Sequence, residues 1–527
     1  MWCGMGPEEG SRGGFEATYI GILKRIPGVV GPLRKLTFKE KLKWTGLILV
    51  IYYVMTQVTL FGISTQGLEK FKAYEILLGS TFGSLMSLGI GPIVTASIIL
   101  QLLVGSKIIP WNLQDEKGRL LFQGTQKLLA VVMCFLEGGI YVFMGAVPAS
   151  SPGFVWIVLL QLAAGGILVI FMDELISKWG FGSGISLFIA AGVSKQIIIR
   201  MFSPFTQAGG FPGPGTPPSG AIPYAVTAVA AGEMINAFIA MLPVIATVLV
   251  FFIVVYTNAI RVEIPLAFGN IRGFGRRWPL KLFYTSNIPV ILVAALLANV
   301  QLMGRIAADR GISWLGTFDS NGQATGGLVY FLTPPGIGSA SGLFMAQMMI
   351  SIGVMAMVGA FLAYRLKRSP IKIVAAMCVL GVVLYLAAIY STGLSSLMSV
   401  QLVDVARMLV YSLFLIVGSA IFAIFWVATS GMDSRSVAEQ IEGVGMQIPG
   451  FRRDTRITER VLERYIPALA VLGGAFVGAL ASYADMTGAL GTGTGLLLTT
   501  MIIYNLYEQL AAQHMEDMHP ALRRLIE

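Results

Sequence analysis

Gly182-Ser183-Gly184-Ile185 and Gly493-Thr494-Gly495-Leu496 each stand at the head of a helix-length apolar segment, one closing each half of the chain. A membrane protein whose halves end on the same device reads as an internal repeat, with its working site between the halves. Composition supports the membrane reading. Of 527 residues, 55% are hydrophobic and only 12% charged, about half the charge of a soluble domain, and mean hydropathy is +0.77.

Stretches of roughly 20 apolar residues predict spans at 43–63, 88–105, 122–146, 154–174, 184–202, 234–259, 283–303, 344–364, 371–390, 407–428, 465–484 and 489–507. Alternate connections are basic: 106–121, 260–282, 365–372 and 429–464 all carry clustered Lys and Arg, whereas 147–153 has none and 203–233 is rich in Gly and Pro. The positive-inside rule therefore puts both termini and every basic loop in the cytoplasm. Residues 1–40 are polar to amphipathic, and Lys24, Arg25, Arg34, Lys35, Lys39, Lys41 and Lys43 precede the first apolar run. That predicts a cytoplasmic start without a cleavable leader. The expected organisation is a cytoplasmic segment 1–42, a first half 43–259, a basic loop 260–282, a second half 283–507 that includes loop 429–464, and a cytoplasmic tail 508–527.

What the spans lack narrows the chemistry. Ion-coupled carriers keep ionisable groups at mid-membrane, but here Glu137 is the clearest exception in nearly uncharged runs, and it has no obvious Lys or His partner in sequence. The only histidines, His514 and His519, lie in the tail, and Cys3, Cys134 and Cys378 have no metal-like spacing. No phosphate-cradling loop, nucleophile elbow or His-Glu zinc pattern is present. No catalytic residue, metal or cofactor is expected. A twelve-span solute transporter with inverted repeats is the class that composition alone would favour; a membrane insertase without a channel is the third.

Loop 260–282, with RVEIPLAFGNIRGFGRRWPLK, and loop 429–464, with GFRRDTRITERVLER, mix basic residues with Gly, Pro and aromatics. Such charge serves orientation alone, or builds a docking surface for an anionic partner such as ribosomal RNA, or for a protein. Within the spans, Ile90 and Val94 lie four apart, as do Ile185 and Ile189, so each pair shares a helix face; Pro92 sits near a helix start, where its missing N–H costs least. By periodicity alone such pairs face lipid or core.

A resemblance adds to this. FKEKLKWTG, LGIGPIVTASIILQLL, FQGTQKLL, DELISKWGFGSGISLFIAAGVS, RVEIPLAFG, YTSNIPVIL, IFWV, GFRR, RYIP, GALGTGTGLLLT and YEQL, in this order, closely resemble the SecY family, the central subunit of the Sec protein-conducting channel, in its archaeal form. The similarity runs from about Phe38 to the C-terminus with one interruption. It implies an all-α polytopic fold of two pseudo-symmetric five-helix halves, hinged after the fifth span, around an hourglass pore with a side exit to lipid.

Carried over by position, the resemblance places a pore ring on Ile90, Val94, Ile185, Ile189, Ile291 and Leu498. It places a plug helix at 71–82, with Phe71, Tyr74, Ile76, Leu77, Leu78 and Phe82 as its apolar side chains, and a lateral-gate cluster on Thr95, Gln126 and Asn299. Arg452 matches a position that engages the ribosome or a motor partner, and Arg453, Arg272, Arg276 and Arg277 join it as docking candidates. The implied partners are the SecE and Sec-beta small subunits, a translating ribosome, signal-bearing polypeptides and membrane lipid; the implied location is the plasma membrane. The interruption spans about 336–390, between YFLTPPGIG and YSTGLSSL, and holds two apolar segments joined by RLKRSPIK. An added transmembrane hairpin there, bringing the total to twelve spans, either faces lipid without distinct function or docks an accessory membrane protein.

Overall fold

The computed structural model describes residues 19–518 except 22, 24, 65–80, 112, 114, 207–209, 214–216, 269–274, 282–287, 320–323, 336–339, 367–369, 393–400, 444–445 and 448–454. The protein is an all-α polytopic membrane protein. Its helices run in the order α1 (Phe38–Met55), α2 (Gly91–Gly105), α3 (Glu116–Phe143), α4 (Val155–Trp179), α5 (Gly184–Phe202), the short α6 (Ala221–Ala230), α7 (Met234–Asn258) and α8 (Ile288–Asp309). There follow α9 (Ala340–Leu366), α10 (Pro370–Thr392), α11 (Leu402–Thr429), two short helices α12 (Ser434–Gly443) and α13 (Thr455–Leu462), α14 (Ile466–Met486) and α15 (Gly493–Met518). Each predicted span falls on one of the longer helices. Among the described residues, eight segments are long and apolar enough to cross a membrane unaided.

One span is shorter than its apolar run suggested. The stretch 88–105 reads as a span from composition, but α2 begins only at Gly91, with Pro92 in its first turn. Residues 81–90 are irregular and almost wholly buried, Met86 and Leu88 completely so. Irregular backbone at membrane depth survives only where protein satisfies it. Here the Leu60 amide donates to Gly83 O at 3.0 Å, the Leu85 amide to Val58 O at 2.9 Å, and the Ser84 hydroxyl to Thr81 O at 2.7 Å. Gly165 of α4 makes room, since a Cβ there would stand 1.9 Å from Leu85 O.

The halves follow from packing. On one side α1 and α5 pack on α4, and α3 lies between α2 and α4; on the other α11 packs on α8 and α14, and α15 on α14 and α7. They meet where α15 lies along α5 and where α2 lies against α8 and α11. The sequence groups residues 234–259 with the first half. Helix α7 instead packs on α15, α9 and α14, so it belongs with the second. The added segment forms two helices packed side by side, α9 and α10. α9 seats on the body at Gly353, whose Cβ would meet Tyr483 Oη at 1.9 Å, and the Tyr483 hydroxyl donates to Met349 O at 2.8 Å. Val379, Val383 and Leu384 of α10 are exposed.

The two basic loops share one small sheet. Strands β1 (Arg261–Phe268) and β2 (Gly275–Lys281) form an antiparallel hairpin; after β3 (Thr317–Phe318) and β4 (Ala324–Gly326), which pair at the far end of α8, β5 (Met446–Gln447) adds to the first pair in the order β2-β1-β5. The hairpin's base pair, Arg261 and Lys281, is clamped by Glu508 of α15, which Arg261 Nη2 meets at 3.2 Å and Lys281 also contacts.

The Gly-Ser/Thr-Gly repeat of the two halves is present, in a different register. Gly182 and Gly491 both adopt positive φ, +70° and +92°. Ser183 and Thr492 then stand as caps, their carbonyls accepting from Leu187 N at 3.2 Å and Leu496 N at 2.9 Å, and Gly184 and Gly493 open α5 and α15. The equivalence is therefore Gly182-Ser183-Gly184 with Gly491-Thr492-Gly493, two residues earlier than the string match 493–496. Three alternating glycines allow both alignments, and only backbone geometry chooses. In the corrected register Ile189 and Leu498 are mates.

Candidate pore and lateral gate

Four helices supply the six aliphatic residues. Ile90 is the N-cap of α2 and Val94 lies one turn in, bonded through Val94 N to Ile90 O at 3.1 Å. Ile185 and Ile189 occupy the first two turns of α5, Ile291 the first turn of α8 and Leu498 the second turn of α15. Five of them are at most 6% exposed and belong to one apolar cluster running through both halves; Ile185 is half-buried and packs against it. Near them lies a cavity of about 870 Å³ whose lining mixes polar residues, Arg119, Glu439 and Gln440 among them, with Val94, Ile185 and Ile291. Three of the six thus face one vestibule of mixed polar and apolar lining.

At the α2–α8 boundary Asn299 Nδ2 donates to Thr95 Oγ1 at 3.3 Å, joining the halves. Gln126 is not part of this pair. Its Nε2 donates to Ser97 Oγ at 2.6 Å, within the first half, and its side chain lines the vestibule. Close to Thr95 lies Glu137 of α3. Glu137 is 8% exposed, its Oε2 has no partner among the described residues, and it presses on the start of α2, where a Cβ on Gly91 would lie 2.9 Å from Oε2. The sequence marks Glu137 as unusual; that it lies beside the gate pair depends on how α3 crosses α2.

Of the plug residues, Phe71, Tyr74, Ile76, Leu77 and Leu78 lie outside the described residues. Phe82 is buried and stacks on Tyr141, with centroids 5.8 Å apart. Of the docking candidates, Arg272, Arg452 and Arg453 also lie outside them. Arg276 and Arg277 sit on β2, paired with Leu266 and Pro265 of β1.

Comparison with known proteins bears on the same regions. The SecY family model matches residues 84–507, and a model described as the plug domain of Sec61p matches 50–83. A relative named protein translocase subunit SecY, from Methanothermobacter thermautotrophicus, is 42% identical over 505 residues, covering 95% of this chain and 96% of its own. A solved structure described as a protein conducting channel superposes with a TM-score of 0.73 at 38% identity, covering 95% of this chain and 98% of that one. Sec61 in the canine ribosome-channel complex from the endoplasmic reticulum gives 0.70 at 38% identity, with the same coverage. With one family model spanning most of the chain and a full-length relative at this identity, the chain belongs to the SecY family.

Proposed function

We infer that this chain is the protein-conducting channel of a translocase, closed as it stands, and that the six aliphatic residues are its constriction. The observation that carries this is that four helices of both halves bring them to one apolar core, with Val94, Ile185 and Ile291 from three of those helices lining a single vestibule. A narrow apolar collar is poorly wetted, and an ion entering it loses hydration with nothing in return. An unfolded chain can still part it, because aliphatic side chains offer no fixed bonds to break. The channel lacks a chemical step of its own, so the driving energy comes from a partner.

The seam between α2 and α8 is the side exit, through which transmembrane segments pass to lipid. Opening it breaks the Asn299–Thr95 bond. The sheet β2-β1-β5 joins both basic loops into one cytoplasmic surface, and Arg276 and Arg277 stand on it for contacts to ribosomal phosphates. SecE and Sec-beta subunits complete the complex in the plasma membrane, with both termini cytoplasmic.

In proteoliposomes, the protein with its small subunits is expected to import a signal-bearing polypeptide and to show no saturable uptake of small solutes. Saturable solute uptake without polypeptide import would make it a transporter. At the gate, Asn299→Ala removes a bond that the closed state loses on opening, a contribution of about 0.6 kcal/mol in membrane proteins. Segments less hydrophobic than the wild-type threshold are then expected to insert, measured by the glycosylation or protease protection of a graded series of test segments. Gln126→Ala, on the vestibule wall, leaves the threshold in place. Equal shifts in both variants, or none in either, would remove Asn299 from the gate.

A further inference from the structure

We propose that Asp173 and Asp485 are positioning residues of the collar: one carboxylate in each half, on the helix before the pore helix, that fixes the first turn of α5 or α15. Asp173 of α4 accepts from Ile185 N at 2.9 Å. Asp485 of α14 accepts from Thr494 N at 2.8 Å and from the Thr494 hydroxyl. In the corrected register the backbone donors correspond, Ile185 with Thr494.

The opening amides of a helix have no partner inside it, and a residue just before the helix usually caps them. Ser183 makes no such side-chain bond. The cap comes from the neighbouring helix instead, and a carboxylate at a helix N-terminus is further favoured by the helix dipole. The glycines permit it. A Cβ on Gly184 would lie 2.6 Å from Asp173 Cα, and one on Gly493 would lie 1.8 Å from the Ala484 carbonyl carbon.

This matters because apolar packing alone holds a membrane helix weakly in register; lipid is as apolar as leucine, so sliding or turning costs little. Charge-assisted bonds have fixed geometry and resist such motion. They also lie close to the collar. Ile185 is itself a donor to Asp173, Ile189 is one turn further on, and Leu498 is one turn beyond Thr494. Asp485 holds a further helix, because the Tyr411 hydroxyl of α11 donates to its Oδ2 at 2.6 Å. By the positive-inside topology α5 and α15 start on opposite faces of the membrane, so the two carboxylates pin the collar from both sides.

The proposal rests on the collar reading and is tested separately from it. The measurement is ion conductance of the purified complex in planar bilayers with no polypeptide substrate, alongside thermal stability of the same preparations. Asp173→Ala is expected to raise conductance about tenfold, the effect on a closed–open equilibrium of losing a charge-assisted bond. Asp485→Ala is expected to raise it as well. Asn variants keep one acceptor and should fall between wild type and Ala. Asp404→Ala is the control: Asp404 accepts from Gln401 N at 3.3 Å at the start of α11, so its loss uncaps a helix that carries no collar residue. It should lower stability without leak. If an Ala variant fails to accumulate, the Asn variant at that position decides in the same way. Tight channels in folded Asp173 and Asp485 variants, or equal leak from Asp404→Ala, would overturn the proposal. Should those variants stay tight while direct collar substitutions leak, the pore reading stands and this inference alone falls.

Discussion

Gly493→Ala is expected to yield a channel that accumulates poorly, melts early and translocates little, whereas Gly192→Ala behaves as wild type. The difference lies in what a methyl group meets. At Gly493 it would stand 1.8 Å from the Ala484 carbonyl carbon and 2.1 Å from Asp485 N, both backbone atoms of the adjoining helix end; at Gly192 it meets nothing within 4 Å. Overpacking usually costs about 1–3 kcal/mol, because side chains can move aside; backbone cannot, so Gly493→Ala lies at or beyond the upper end. The shift of α15 needed to relieve the clash also breaks the bonds at Asp485 and moves Leu498. Melting of the purified protein in detergent, compared between the two variants, checks this. Similar midpoints would mean that α14 and α15 approach each other less closely than described.

The spans were legible because the bilayer dictates them: a run of about 20 apolar residues is demanded by hydrocarbon thickness and needs no tertiary information. The hairpin α9–α10 was legible for the same reason. Hydropathy could not say where α2 begins, since buried irregular backbone at 81–90 is as apolar as helix. Nor could it show that α7 packs with the second half, or that β5 from one basic loop pairs with β1 from the other. These are long-range choices settled by packing.

At the site, the collar residues were found through family strings, because an Ile pair four apart is ordinary core. Gln126 matches the gate by position and bonds elsewhere, while Glu137, conspicuous for its charge, is the residue that presses on the start of the helix carrying Thr95. Asp173 lies within DELISKWGFGSGISLFIAAGVS and Asp485 just past the apolar run 465–484, and hydropathy marks neither. The signal available was an aspartate shortly before a glycine-headed helix in both halves.

The central claim is that the six aliphatic residues form the seal. Ile90→Ser combined with Ile185→Ser puts hydrogen-bonding groups into a constriction that stays shut by excluding water. A plug that reseats would mask the lesion, so the decisive series adds deletion of residues 71–82. Conductance of the reconstituted complex, recorded in planar bilayers with no translocating chain, is predicted to rise in the order wild type, collar variant, collar variant without the plug. Ile99→Ser, on α2 but outside the collar, is predicted to remain close to wild type. Collar variants that fold and stay as tight as wild type even without residues 71–82, or an Ile99→Ser control that leaks as much as they do, would contradict the account.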